Sequence, residues 1–190
     1  MKFVVGMVLA LVLALASAFY VGERMDQKAQ AQAVESFYTA VIEMNIRYVA
    51  SKEQIEKLTP FITSKLRSTL LETLAAEEKF IKEAEQASEP MASAFEGPLF
   101  FYVWEGPNKM LGVEPESVAG QTSYRVKFQM AKPYDTDPKH NWEDRAILVK
   151  ENGKWVIDEL QFGIGNGSTS NYSLSDTLKQ RSLTPNQESD

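Results

Sequence analysis

Apolar residues at Val34, Phe37, Val41, Met44 and Tyr48 recur at three- and four-residue steps, with Tyr38 and Ile42 widening the stripe. That period predicts one amphipathic helix from about Met25 to Tyr48. Ser51 with Gln54 three residues on has the form of a capping box, and Thr59-Pro60 sets a cap residue before a proline suited to a first helical position. A second helical region is therefore expected from there to about Ala87, ending before Pro90. Leu66, Leu70, Leu74 and Ile81 lie along one side of it, with Glu78 and Lys82 as an i,i+4 ion pair outside. Beyond Pro90 the period changes. An apolar block, Leu99 to Trp104, is bounded by Gly97-Pro98 and Glu105-Gly106-Pro107. Tyr124, Val126, Phe128 and Met130 then alternate with Ser123, Arg125, Lys127 and Gln129, the period of a strand with one buried face. Trp142–Lys150 and Lys154–Gln161 flank Glu151-Asn152-Gly153, where Asn-Gly supplies the positive backbone angles of a tight antiparallel hairpin. A shorter strand is expected around Lys109 to Val113. Ser173 with Asp176, and Leu174 with Leu178, predict one short closing helix. Helices that need a partner surface, followed by strands with one apolar face, give an α+β domain. Its N-terminal helices pack on a curved antiparallel sheet of three to four strands.

The first residues follow another pattern. Phe3 to Val21 is a run of 19 residues broken in polarity only by Gly6 and Ser17, preceded by Lys2 and followed by Gly22, Glu23, Arg24 and Asp26. Ala16-Ser17-Ala18 fits the small-x-small cleavage pattern of a secretory signal. The full run is also within the ~17–25 residues that cross a bilayer. Two readings stay open, a leader cleaved after Ala18 and an uncleaved anchor; under either the domain is exported, periplasmic or held at the membrane outside the cytoplasm. The expected division is 1–24 leader or anchor, 25–180 a single domain and 181–190 a flexible tail.

Composition narrows the chemistry. The chain has 190 residues, 20 Lys plus Arg against 26 Asp plus Glu and a net charge of −6, with no basic run, so nucleic acid is not an expected partner. It contains no cysteine and one histidine. Thiolate catalysis, disulfides, a lipid-bearing cysteine and multi-histidine metal sites are excluded, and no cofactor or metal is expected. Two candidates remain for acid–base work. His140 lies in the polar stretch Asp135 to Trp142, either a proton carrier beside Asp135 or Asp137 or an exposed loop histidine. Asp158 shares the parity of Val156 and Leu160, so it points toward the apolar side as a base of raised pKa, or is a structural carboxylate satisfied by donors or turned out by a bulge. Tyr102, Trp104, Tyr124 and Trp142, with Phe128 and Trp155, line a ligand pocket or simply form core. Glu143 and Asp144 are adjacent in a strand, face opposite sides and cannot share a substrate. Gly163-Ile164-Gly165-Asn166-Gly167 lacks the ending of a phosphate loop and reads as a plain loop.

The apolar N-terminus, the helix of type Val34-x-x-Phe37-Tyr38, the opening Leu58-Thr59-Pro60-Phe61 and the hairpin from Ala146 to Leu160 together resemble exported bacterial members of the nuclear-transport-factor-2-like superfamily. The likeness runs from about Val34 to Leu178 and is to small periplasmic and lipoprotein members, from which this chain departs in having no cysteine. The resemblance implies a cone, a strongly bent sheet around helices with a pocket at its wide end. That cone serves enzymes such as ketosteroid isomerase and scytalone dehydratase, and also many non-catalytic binding proteins; some exported relatives act as inhibitors of cell-wall-degrading effectors. Fold therefore does not select function. The expectation is a non-catalytic extracytoplasmic domain that binds a protein or a small apolar ligand. The competing reading is an isomerase- or hydratase-type enzyme using Asp158, Tyr102 or Tyr124.

Overall fold

A computed structural model of the chain describes residues 2–46, 48–87, 99–103, 106–118, 120–131, 137–164 and 172–182, with side chains described outside 2–19, 87 and 180–182. Helix α1 runs without a break from Lys2 to Glu43. It buries Val34, Phe37, Tyr38 and Val41 completely. It stops five residues short of Tyr48 because Asn45 takes a left-handed conformation, φ 48°. There the Asn45 N–H donates to the Ile42 carbonyl at 3.0 Å and the Ile46 N–H to the Val41 carbonyl at 3.4 Å, while Ile46 packs into the core. Tyr48 is left exposed. Among the described residues no helix is long and apolar enough to cross a membrane; most of the run Phe3–Val21 belongs to the part of α1 whose side chains are not described.

The second helical region is two helices. Helix α2, Lys52–Leu58, carries the capping box, with the Gln54 N–H donating to Ser51 Oγ and the Ser51 N–H to Gln54 Oε1. Thr59-Pro60 opens only a single 3-10 turn, Thr59–Phe61. Thr59 does not cap: its hydroxyl donates back to the Ile55 carbonyl at 3.0 Å. A tertiary contact breaks the helix there. Ile62 is extended and bridges Ile157 in parallel, and the Thr63 N–H donates to the Ile157 carbonyl at 2.9 Å. Helix α3, Ser64–Ala87, then starts afresh with Thr63 as its cap, Oγ1 accepting the Leu66 N–H at 3.1 Å. Its buried stripe holds Leu66, Leu70, Thr73, Glu77 and Ala84, and the exposed i,i+4 pair is Lys79–Glu83 at 3.7 Å rather than Glu78–Lys82.

Among the described residues five antiparallel strands in the order β1-β2-β3-β4-β5 form the sheet, rather than three to four. They are β1 Pro107–Val118, β2 Gln121–Met130, β3 Trp142–Glu151, β4 Lys154–Phe162 and β5 Tyr172–Ser173. The expected short strand at Lys109 is a full edge strand whose register shifts twice and which carries Pro115, tolerated because an edge position loses no ladder bond. Strand β5 has two residues, too few for any period to announce it; helix α4, Leu174–Ser182, follows at once and buries Leu174 and Leu178. Asn152 and Gly153, at φ 51° and 78°, close the β3–β4 hairpin as expected.

Along β2 and β3 the alternation sends Tyr124, Val126, Phe128, Trp142, Ala146 and Leu148 inward. They meet α1 and the buried Leu99–Phe101 segment in one aromatic core. Tyr38 packs edge-on to Phe37 and Phe128 at 5.1 and 5.0 Å between centroids, and Phe128 stacks on Trp142 at 5.3 Å. Each such ring withdraws apolar surface worth ~1.5–3 kcal/mol on full burial. The opposite face of the sheet is polar. There Glu116 on β1 accepts from Arg145 on β3 at 2.6 and 3.0 Å and from Arg125 on β2 at 2.9 Å. The Arg145 bond, then Arg125, hold the Glu116 carboxyl down at about 2.

Candidate functional site

The strand period that turns Glu143 and Arg145 outward turns Asp144 into the core, where it has no exposed surface. Three donors converge on it: Trp142 Nε1–H to Oδ2 at 3.2 Å, the Gly163 N–H to Oδ1 at 2.8 Å, and the Tyr102 backbone N–H. Burial nevertheless outweighs them and pushes its pKa up to about 7. The Tyr38 hydroxyl lies in the same core with no hydrogen-bond partner among the described residues. Its pKa is held well above the usual phenol value by burial and by the charge of Asp144. Gly163 sits at φ +65°, and a Cβ there would come within 2.6 Å of the Tyr102 ring. Asp144 thus ties three pieces of chain together: its own strand, the end of β4 and the segment before β1. Its oxygens accept three donors and are sealed from solvent, so the arrangement suits a latch rather than a base.

The residues singled out from sequence are dispersed. Asp158 falls at a bulge, since Ile147 pairs with Glu159 and Leu148 with Ile157. There its Oδ1, half-buried, accepts the Thr63 hydroxyl at 3.1 Å and so orients the cap of α3. His140 is half-buried at the end of the turn Pro138–His140, its backbone N–H donating to the Asp137 carbonyl at 3.0 Å. The Asp137 carboxyl is kept below its usual range chiefly by the Lys139 ammonium 2.6 Å away. Asp135 and Trp104 lie outside the described residues, as do Gly165 to Gly167. Tyr124 is buried, its hydroxyl 3.1 Å from the Gln27 carbonyl and 3.0 Å from Gln30 Oε1, clamping α1 to β2. Tyr102 and Trp142 are the two expected pocket residues brought together, and both serve Asp144. Tyr102 is 40% exposed and Trp142 2%.

Among the described residues an open concavity lies elsewhere, between α1 and the β3–β4 hairpin. It measures about 450 Å³ and is lined by Asp26, Ala29, Ala33, Phe61, Lys154 and Trp155, with Lys150 over the rim. Trp155 Nε1–H donates to Asp26 Oδ1 at 2.9 Å, and Lys150 Nζ lies 3.4 Å from the same oxygen and 5.4 Å from the Trp155 ring centroid. The Trp155 bond, then Lys150, lowers the Asp26 pKa. A smaller hollow of about 270 Å³ lies on the other side of the hairpin, lined by Pro60, Ile62, Arg67 and Val156 and sharing Lys154. Apart from Trp155, none of these groove residues is a site candidate on sequence pattern alone; Asp26 and Lys154 are ordinary surface charges until α1 and the hairpin meet. Among the described residues no group of three potential ligand side chains is placed to hold a metal ion. Comparison with known families, curated proteins and solved structures finds no match to this chain.

Proposed function

We propose that this chain is a non-catalytic binding domain held outside the cytoplasm by an uncleaved Phe3–Val21 segment, and that its partner enters the groove between α1 and the β3–β4 hairpin. The observation that carries the reading is the contrast between the two sites. The carboxylates an enzyme would use are committed, Asp144 to three donors inside the core and Asp158 to the Thr63 hydroxyl. The open groove instead offers an aromatic ring, aliphatic carbons and two amines, its one acidic side chain, Asp26, already bound to Trp155 and Lys150. That lining suits an acidic group attached to an apolar body. The nuclear-transport-factor-2-like resemblance belongs to the same proposal, supported by helices preceding an antiparallel sheet that they cover on one face. Tethering is supported by the 19-residue apolar run Phe3–Val21 and by Tyr20, Val21 and Met25, large apolar side chains left exposed on α1.

A titration tests the proposal. The full chain in nonionic detergent should bind a short alkyl phosphate saturably. Lys150→Gln with Lys154→Gln should weaken binding about tenfold or more, as loss of charge-assisted bonds requires, while Asp158→Asn leaves it unchanged. Binding that ignores the lysines and follows Asp158 would favour the isomerase- or hydratase-type reading.

A further inference from the structure

We infer that the groove takes the phosphate headgroup of an anionic phospholipid in the leaflet from which α1 emerges, so that the β3–β4 hairpin rests on the membrane surface. The inference rests on the tethered-domain reading above and names its ligand.

Tyr38 packs on Phe128, Gln27 and Gln30 meet Tyr124, and Asp26 meets Trp155 and Lys150. Tracing α1 back toward its N-terminus therefore leads to the β3–β4 turn. Asp26 is five residues past Val21, the last of the apolar run, or about 7.5 Å along a straight helix. A bilayer of ~40–45 Å overall with a ~30 Å core leaves ~5–8 Å of headgroup layer on each side. With Val21 at the edge of the hydrocarbon, Asp26 and the two lysines beside it stand at the level of the phosphates.

The chemistry at that level agrees. The Arg24 guanidinium lies over the Tyr20 ring at 4.7 Å, an aromatic and a cation paired where interface anchors belong. Lys154 is exposed and has no ion-pair partner among the described residues. Lys150 shares Asp26 with the Trp155 indole, so the local anion is already compensated and a second anion is attracted rather than repelled. Trp155 and Phe61 give the glycerol and first acyl carbons an apolar wall. An acidic segment of another protein would satisfy the same amines, but the position of the groove relative to the apolar run favours lipid.

The absence of cysteine permits a clean test. Ala29→Cys, on the groove wall, and Lys109→Cys, at the far end of the sheet, each carry one fluorophore on the full chain. The chain is reconstituted in vesicles of about three parts phosphatidylcholine to one of phosphatidylglycerol containing headgroup-nitroxide lipid. The label at position 29 should be quenched and that at 109 should not. Lys150→Gln with Lys154→Gln, or vesicles of phosphatidylcholine alone, should weaken the quenching at 29, since two lysines are worth about thirtyfold in preference for an anionic surface. Quenching at 29 that is indifferent to lipid charge and to both lysines overturns the headgroup site. No quenching at 29, while the detergent-held chain still binds alkyl phosphate, overturns the lipid inference and leaves the groove reading intact. Release of the chain from the vesicles by salt overturns the tether and this inference with it.

Discussion

Asp144 makes the stability of this domain depend on pH in an unusual direction. Its pKa is 3.8 in an ordinary setting and about 7 in the fold, because burial penalises the anion more than Trp142, Gly163 and Tyr102 stabilise it. At ~1.36 kcal/mol per pH interval of one, the gap corresponds to about 4 kcal/mol. The folded pKa is the raised one, so the folded state holds the proton more tightly than the unfolded chain. This contribution is full below about pH 4 and is lost as pH rises through about 7. Glu116 acts oppositely. Its pKa falls from 4.5 to about 2, and its carboxylate is little exposed, so its roughly 3 kcal/mol is present above about pH 4.5 and lost on acidification. Urea unfolding between pH ~3 and ~8 should therefore show maximal stability near pH 4–5 and a fall of about 3–4 kcal/mol toward pH 8, with an unchanged m-value. Asp144→Asn cannot ionise and should flatten the fall above pH ~5 whatever its fixed cost in hydrogen bonds. A wild-type curve level from pH ~5 to ~8, or an Asn variant that keeps the decline, would refute the assignment of that limb to Asp144.

Other consequences of the structure can be measured directly. Gly163→Ala should cost about 2–3 kcal/mol in a denaturant melt, and Gly153→Ala only about 1. Both sit at positive φ, but only the Cβ at 163 meets a ring, that of Tyr102 at 2.6 Å, and Tyr102→Ala should relieve part of the difference. Thr63→Ala removes the cap of α3 and the donor to Asp158, and should destabilise by roughly 1–2 kcal/mol; Asp158→Asn, which keeps an acceptor, should cost less than 1. A reporter fused after Asp190 should be active outside the cytoplasm, and activity only inside would contradict the export reading.

The parts of the fold legible in the sequence are those whose periods are long and locally supported. The α1 stripe as far as Val41, the Ser51 capping box, the Asn152-Gly153 turn and the Ser173–Asp176 cap are each written in neighbouring residues and appear where those residues place them, whereas the far end of the stripe, to Tyr48, is cut off by the helix stop at Glu43. Failures occur where a distant strand intervenes. Thr59-Pro60 has the chemistry of a helix start, yet Ile62 is drawn into a bridge with Ile157 and the long helix is displaced to Thr63. The same bridge gives Asp158 its partner, 95 residues away along the chain. Asp144 was within reach of the pattern: β3 parity with Trp142 and Ala146 marks it as inward, a buried carboxylate being the informative exception on an apolar face. Its three donors were not legible, because two are backbone groups fixed by tertiary packing. Nor was the groove, since nothing local to Asp26 or Lys154 records that α1 and the hairpin tip come together.

The central claim is that the molecule binds at the α1–hairpin groove and keeps Asp144 as a latch. The indole N–H resonances of Trp155 and Trp142 report on the two places separately, one donating to Asp26 and the other to Asp144. On titration of the full chain with a short alkyl phosphate, the Trp155 resonance should shift saturably and the Trp142 resonance should stay fixed, with the Trp155 response weakened about tenfold or more by Lys150→Gln with Lys154→Gln. Movement of the Trp142 resonance with Trp155 unchanged would place the ligand at the buried carboxylate and contradict the account.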